Sequence, residues 1–334
     1  VFMGKAEEQS IHPGVIMRSV FLSKNQLYSR ENHTITLNRL MSMGNFKFVQ
    51  VKLTASDTAA TGLLDVTILM TPLPKHTFRA ELDIVTKTNN YTGPQMNLSV
   101  LNRNAFKGAE LLNLSMAGSF EAQLGQNNNK FSYSLNPQVE LTFPRFLVPF
   151  TIKSHSRYNP KTRLFLSYNY MKRVELFDMN TFQFIYGFKW KASGRVEQEF
   201  NPVNISYTTV TNQTDSFKVI LNKNTFLKKS YEEQFIAGAS YAFTYNEMLL
   251  PSKKIQYYFQ LSAETAGNLF SFAKLLNGEH ANSTNPLKIA GSIYSQYAKL
   301  SVEGHAYYNF EDKNKIALRV YAGVANPYGN SSVY

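Results

Sequence analysis

The sequence predicts a mainly β protein, in which a transmembrane antiparallel β-barrel follows a small α+β domain. The strongest indication is an alternation of apolar and polar residues with a period of two, which persists along most of the chain after residue 75. The alternating segments are long, roughly 9–15 residues each, which is enough for a tilted strand to cross a membrane. Aromatic residues, which favour strands, make up 14% of the 334 residues.

The composition excludes several other classes of protein. Only 17% of the residues are charged and 43% are apolar, so the chain lacks the low hydrophobicity of a disordered protein. No run of apolar residues in the sequence approaches the roughly 18–20 that a membrane-spanning helix needs. The absence of cysteine excludes disulfides, cysteine nucleophiles and zinc sites with cysteine ligands.

Residues 1–73 form the predicted α+β domain. Apolar residues at near-helical spacing predict a helix over residues 12–21 and a second helix from about residue 31 to residue 41. Alternation then predicts two paired strands, over residues 46–53 and 64–70. Two helices and two strands in so short a stretch indicate a small α+β module.

Residues 75–334 form the predicted barrel. Its first strand covers about residues 75–87, where apolar side chains alternate with charged ones. The apolar set is Phe78, Ala80, Leu82 and Ile84, and the charged set is Arg79, Glu81 and Asp83. The same alternation returns in residues 110–124, 131–143, 182–191, 235–245, 257–263, 298–305 and 316–324. We count about eleven strands, as expected for a membrane barrel.

A soluble β-sandwich also shows alternation, because one face of each sheet is buried in the core. Strand length favours the membrane, since strands of soluble proteins average about 5–6 residues. The second face carries Ser, Asn, Gln, Glu and Lys, as the wall of a water-filled lumen would. Aromatic residues such as Phe143, Tyr168 and Tyr257 lie near the predicted strand ends, where membrane proteins carry an aromatic girdle.

Successive connections between antiparallel strands lie at alternate ends of the wall. Three connections are long, at residues 145–161, 210–231 and 267–290. If the α+β domain is periplasmic, the connection at 145–161 lies on the periplasmic side. The other two then lie outside the cell.

No motif in the sequence indicates catalysis. The chain has no G-x-S-x-G, H-E-x-x-H or P-loop motif, and its six histidines lack metal-ligand spacing. We interpret His305, together with Glu303 and Lys299, as part of a polar lumen face. The acidic residues of the strands are interpreted in the same way: Glu81, Asp83, Glu110, Glu121 and Glu140. We therefore expect no enzyme activity, no metal and no cofactor.

The chain has an excess of basic residues, with 35 Lys and Arg against 23 Asp and Glu, which suggests nucleic acid as a candidate partner. The cations are dispersed, however, and the densest clusters are Lys228-Lys229 and Lys253-Lys254. Scattered cations at strand ends fit contact with anionic lipid headgroups instead. We expect outer-membrane lipids and no nucleic acid as partners.

Four segments resemble one known family. Residues 36–49 (TLNRLMSMGNFKFV) are similar to the second helix and following strand of a POTRA domain. Residues 101–110 (LNRNAFKGAE) are similar to a turn between the second and third barrel strands of the BamA/TamA-type surface-antigen superfamily. Residues 143–150 (FPRFLVPF) and 322–331 (AGVANPYGNS) add to this likeness. Together they most resemble the TamA-like (TamL) branch of Bacteroidetes.

The resemblance implies a sixteen-stranded barrel in the outer membrane, preceded by a periplasmic POTRA domain. Proteins of this superfamily insert or export other outer-membrane or surface proteins without a chemical reaction. An incoming strand pairs with the first barrel strand, a form of β-augmentation. In this chain the pairing residues would be Phe78, Arg79, Ala80, Glu81, Leu82, Asp83, Ile84 and Val85, through their backbones.

Two further sites follow from the resemblance. The family turn would consist of Asn102, Arg103, Asn104, Phe106, Gly108 and Glu110. The POTRA strand edge would consist of Phe46, Phe48, Val49 and Val51, with the strand at residues 64–70. That edge is a candidate for passing on substrate or for binding accessory periplasmic or lipoprotein subunits.

The sequence departs from the family pattern at both ends. We do not find the Arg-Gly motif of the loop after the eleventh strand, the closing strands or a first POTRA strand. We therefore expect this chain to be part of a longer protein.

Two other functions are also compatible with the alternation of apolar and polar residues. A passive porin would lack the α+β domain, and a barrel enzyme would need a nucleophile and base that the sequence does not show.

Overall fold

The computed structural model describes residues 11–56, 62–88, 90–123, 130–150, 156–248, 253–278, 286–289, 291–310 and 314–331. In these ranges the chain forms a small helical and two-stranded unit, followed by one large antiparallel sheet. We call residues 11–73 the module and the large sheet the wall.

The module has the predicted order of helix, helix, strand and strand. Its elements are α1 (Pro13–Met17), α2 (Arg30–Ser42), β1 (Phe46–Ala55) and β2 (Leu64–Pro72). Helix α2 begins after Ser29, whose hydroxyl accepts a hydrogen bond from the Asn32 N–H at 3.3 Å. Leu40 of α2 is fully buried in a cluster with apolar residues of α1 and β1. The helices therefore cover one face of the β1–β2 hairpin and form the module core.

The wall contains eleven strands, each antiparallel to its neighbours and paired in chain order. Their bounds are β3 His76–Thr86, β4 Tyr91–Asn102, β5 Leu111–Gln123, β6 Lys130–Phe143, β7 Lys161–Arg173, β8 Phe177–Lys191, β9 Val196–Thr211, β10 Gln234–Asn246, β11 Ile255–Ala266, β14 Tyr297–Asn309 and β15 Lys315–Pro327. The predicted strand number is confirmed, and β3 is the predicted first strand. Among the described residues β3 and β15 are the two edges, and they do not pair with each other.

The two faces of the wall differ in chemistry, as the alternation predicts. One row of directly opposed residues crosses six strands and is wholly apolar: Phe78, Val100, Leu114, Val139, Leu166 and Phe184. The adjacent row, one residue along each strand, is wholly polar: Arg79, Ser99, Ser115, Gln138, Ser167 and Gln183. We call these the outer face and the inner face.

Large apolar side chains of the outer face are exposed. Met116 at the middle of β5 is 45% exposed, and Leu82 of β3 is 76% exposed. The described residues form a single large sheet, and no second sheet of comparable size packs on this face. The alternative of a soluble sandwich is therefore wrong, because its apolar faces would be buried against each other.

The long connections lie at opposite ends of the wall, as predicted. The one after β6 contacts the module, as described below. The one after β9 contains α3 (Asp215–Lys223) and α4 (Thr225–Ser230). The one after β11 contains α5 (Asn268–Leu276), β12 (Lys288–Ile289) and β13 (Ser292–Ile293). In the part of the chain that the structure describes, no helix has the length and apolar character needed to cross a membrane.

Candidate strand-pairing edge and module junction

The first wall strand offers an unpaired edge. All residues of β3 from His76 to Thr86 pair with β4, from Asn102 to Thr92. No other described strand pairs with β3. The backbone N–H and C=O groups that alternate along this second edge are what an added strand would bind.

The side chains of this edge strand divide between the two faces. Phe78, Leu82 and Ile84 are exposed on the outer face. On the inner face Arg79 forms an ion pair with Glu81 at 2.6 Å, and Asp83 accepts a hydrogen bond from Asn97 at 3.2 Å. The inner side chains of β3 thus interact with each other and with β4. The backbone edge of β3 that faces away from β4 stays unpaired within the part of the chain that the structure describes.

The predicted family turn connects β4 to β5 and is held by its own side chains. One carboxylate oxygen of Glu110 accepts the N–H groups of Gly108 at 2.9 Å and Phe106 at 3.2 Å. The Asn104 side-chain oxygen accepts the Ala109 N–H at 3.1 Å. Because Glu110 lies in this turn, before β5 begins, the expectation that it faces the lumen is wrong. Its carboxylate accepts hydrogen bonds from partly buried backbone N–H groups instead.

The close packing of the turn explains its glycine. A Cβ atom at Gly108 would lie 2.1 Å from Oε1 of Glu110, so any larger residue displaces the carboxylate. Lys107 and Ala109 both adopt left-handed backbone conformations, with φ of 65° and 63°. A non-glycine residue rarely adopts this conformation without compensating contacts.

Those contacts come from the module. The Ala109 side chain is completely buried within the module core, beside residues of α1, α2 and β1. The N–H of His12 donates to the Lys107 carbonyl at 2.8 Å. The turn therefore attaches the wall to the module, both by packing and by a backbone hydrogen bond.

The same turn also holds the link between module and wall. The Arg103 guanidinium donates to the Pro74 carbonyl at 2.9 Å and to the Thr77 hydroxyl at 2.5 Å. The Arg103 N–H donates to the Lys75 carbonyl at 2.8 Å, and the Asn45 side-chain amide donates to the Arg103 carbonyl. The remaining turn residue, Asn102, accepts the Asn104 N–H at 3.1 Å.

A second connection after β6 also contacts the module. Arg39 of α2 donates from Nε to the Ser156 carbonyl at 2.8 Å, and the Asn159 amide donates to the Arg39 carbonyl at 2.7 Å. Burial lowers the pKa of the Arg39 guanidinium from its ordinary value. Sequence reasoning missed this contact, because its partners lie 117 and 120 residues apart.

The predicted module edge is divided between core and surface. Phe46 and Val49 are buried in the module core, Val51 is half-buried, and Phe48 is 56% exposed. Strand β1 pairs with β2 along one edge, with an irregularity between Phe46 and Phe48. Among the described residues β1 has no partner along its other edge.

Charged residues of the inner face form ion pairs with one another. Glu121 pairs with Lys87 at 2.6 Å, and Glu140 pairs with Arg163 at 3.3 Å. The third carboxylate of this kind, Glu303, contacts His305 at 2.8 Å and Arg319 at 2.7 Å.

These pairs give each of the three carboxylates a cationic or imidazole partner, and His305 is the imidazole partner of Glu303. Among the described residues, no three His, Asp or Glu side chains are grouped so that they could hold a metal ion.

A single antiparallel wall of 11- to 16-residue strands, apolar on one face and polar on the other, is typical of a membrane β-barrel, and among the described residues its two edge strands do not pair. The fold is similar to the crystal structure of BamA from Haemophilus ducreyi lacking POTRA domains 1–3, with a TM-score of 0.57 and 11% sequence identity. The likeness covers 96% of this chain and 54% of that one, so this chain spans about half the length of the BamA structure. No protein-family model and no curated protein matches the sequence.

Proposed function

We propose that this chain belongs to an outer-membrane protein that inserts or exports other outer-membrane or surface proteins. The observation that carries the proposal is the likeness of the fold to a BamA barrel over 96% of the chain. The resemblance of residues 101–110 to the BamA/TamA-type turn supports it. A role in the TamA-like branch is the finer form of the same proposal.

The outer face supports a location in the outer membrane. Exposed apolar side chains cover this face across the wall, and in water such an area would be unfavourable. Contact with lipid acyl chains removes this cost. We propose that the module is a POTRA domain in the periplasm, so that the far connections, with α3 and α5, face outside the cell.

The mechanism that we propose is strand pairing at β3. An incoming β-strand hydrogen-bonds to the open edge of Phe78–Val85, and the apolar outer side chains of both strands then contact lipid. The Phe48 end of β1 is the proposed site for accessory subunits or for substrate on its way to β3. No covalent step is needed, since binding energy comes from backbone hydrogen bonds and burial.

Site-specific crosslinking tests this proposal in the full-length protein. The chain contains no cysteine, so Leu82→Cys places a unique thiol within it on the edge strand. The matched control is Phe184→Cys, on the same face but in β8, which is paired on both sides. We expect Leu82→Cys, and not Phe184→Cys, to crosslink to a cysteine in the strand of a nascent barrel substrate.

Two results contradict the proposal. Equal crosslinking at both positions shows that contact does not depend on a free strand edge. Depletion of the protein separates assembly from passive transport: we expect other barrels or surface proteins to decrease in the outer membrane. If their amounts stay normal while uptake of small solutes falls, the protein is a porin.

A further inference from the structure

The connection after β6 folds back over the outer face of the wall. We call residues 144–150 the strap. The Leu147 carbonyl accepts the Tyr186 hydroxyl at 2.5 Å, and the Leu147 N–H donates to the Thr162 hydroxyl at 2.9 Å. The Phe146 ring lies 5.7 Å from that of Phe188 and 6.0 Å from that of Trp190. The strap is therefore fixed to the module end of β7 and β8.

A groove of about 620 Å³ separates the strap from the module. Its walls are mixed, with an apolar part formed by Val15 and Phe21 from the module and by Phe146, Val148 and Phe150 from the strap. Phe150 is 65% exposed. Since Phe146 packs on side chains of the outer face, the apolar wall of the groove is continuous with that face.

The groove also carries concentrated positive charge. Arg18 and Arg145 line it and are exposed, and neither guanidinium has a hydrogen-bond or ion-pair partner within the described residues. Arg39 lines it as well, with its guanidinium 4.6 Å from the centre of the Phe21 ring. The carboxylate in the lining, Glu110, is already hydrogen-bonded within its own turn. The two exposed arginines, Arg18 and Arg145, thus line a groove whose carboxylate is already hydrogen-bonded, and Arg39, which also donates to the Ser156 carbonyl, adds a third positive charge.

We propose that this groove binds the phosphate headgroup of an anionic membrane phospholipid, with the acyl chain along the strap and the outer face. Arginine is well suited to phosphate, because its planar donors match the oxygen geometry. An apolar wall beside a cationic pocket at the end of the lipid-facing surface matches the two parts of a phospholipid. The inference rests on the proposed placement of the wall in a membrane.

A lipid fits the groove better than a soluble phosphate compound does. A soluble ligand would leave Phe150 and the apolar strap exposed to water, whereas an acyl chain covers them. The unusual length of this module-end connection, 144–160 between β6 and β7, is explained by the same role. Connections on that side of a membrane barrel are ordinarily short turns.

The test counts lipids bound to the full-length protein by native mass spectrometry. Purified protein in detergent is titrated with phosphatidylglycerol, and separately with phosphatidylcholine, which has no net charge. The groove variant is Arg18→Gln with Arg145→Gln. The control variant, Lys24→Gln with Arg30→Gln, removes the same charge from exposed positions of the module that do not line the groove.

We expect the wild type and the control to prefer phosphatidylglycerol. The groove variant should bind it at least about tenfold more weakly, since each basic side chain contributes severalfold to binding of anionic lipid. Equal binding by the groove variant and the wild type overturns the proposal, as does an equal loss in both variants. If glycerol 3-phosphate binds as tightly as the lipid does, the site is for phosphate and the lipid assignment is wrong.

Membrane integration separates this inference from the proposed function. Carbonate extraction of cell membranes shows whether the full-length protein is an integral membrane protein. A protein that is fully extracted contradicts both proposals. A protein that stays in the membrane but shows no groove-dependent lipid binding contradicts only the lipid site.

Discussion

Arg39 and Asn159 join the module to the wall across 120 residues of chain. The Asn159 amide donates to the Arg39 carbonyl at 2.7 Å, while the Arg39 guanidinium donates to Ser156 beside it at 2.8 Å. Both residues are buried, with exposed fractions of 6% and 7%. With the turn at 103–110, this contact gives the module two separate attachments to the wall.

Replacement of Asn159 tests the second attachment. In Asn159→Ala the Arg39 carbonyl keeps the Ser42 hydroxyl as a donor at 3.0 Å, so we expect a loss of only about 1 kcal/mol. The loss should appear as several-fold faster hydrogen exchange of the α2 amides. Asn277→Ala, at an exposed position after α5, is the control and should leave α2 exchange unchanged. Unchanged α2 exchange in Asn159→Ala contradicts the role of this contact.

The turn residues Gly108 and Glu110 should behave as a coupled pair. Gly108→Ala pushes the Glu110 carboxylate away from the two N–H groups that it accepts, and Glu110→Ala removes the carboxylate itself. We expect each variant to lower the free energy of unfolding by about 2–3 kcal/mol.

The double variant should be little worse than either single variant, because both remove the same hydrogen bonds. Denaturant unfolding of the full-length protein measures this. Additive losses show that the two residues act independently.

The face assignment predicts opposite tolerances for two adjacent residues of β5. Met116 lies on the outer face near the middle of the strand, and Ser115 lies on the inner face. In a bilayer Met116→Lys should cost about 2–4 kcal/mol, the usual penalty for a basic residue facing lipid at the midplane. Ser115→Lys should cost much less. Folding in lipid vesicles against urea gives both values, and a larger loss for Ser115→Lys reverses the assignment.

Glu247, in the turn after β10, should make a pH-dependent contribution to the free energy of unfolding. Hydrogen bonds from Lys253 at 2.8 Å and Tyr245 at 2.7 Å lower the pKa of Glu247 from its ordinary value of 4.5, although burial opposes them. The pKa of Glu247 is lower in the folded state than in the unfolded state. The ionised carboxylate therefore stabilises the fold fully at pH values above about 4.5. This contribution is lost as the pH falls through the folded pKa.

We therefore expect Glu247→Gln to be less stable than the wild type at neutral pH. The difference between them should shrink in acid, once the wild-type carboxyl is protonated in both states. Thermal unfolding over a pH series measures it, with Glu232→Gln as the control at an exposed position. A difference that does not change with pH indicates a packing effect of the substitution.

Much of the wall was predictable because each strand carries its own pattern. In β3 the alternation of Phe78, Leu82 and Ile84 with charged residues identifies both the strand and its outer face. The outer side chains need no specific partner in the sequence, since lipid or solvent is their neighbour. The same local logic predicted the order of helices and strands in the module.

The candidate sites were less predictable where a residue depends on distant neighbours. Glu110 fits the alternation of the following strand, yet its carboxylate is used by backbone donors of the turn before it. Phe46 and Val49 fit an exposed strand edge, yet α2 covers them. The pairing role of the Phe78–Val85 edge and the TamA-like assignment remain predictions.

The sequence by itself determined which side chains face outward and which face inward, because a strand places successive residues on opposite faces whatever surrounds it. Tertiary structure alone decided how the module attaches, since Ala109 and Asn159 contact residues far away in the chain and carry no local pattern. It also decided that residues 144–150 fold onto the outer face. The Pro and Phe residues of this segment have no local pattern that predicts its contacts. The contacts form only because folding of β7 and β8 places Thr162 and Tyr186 next to it.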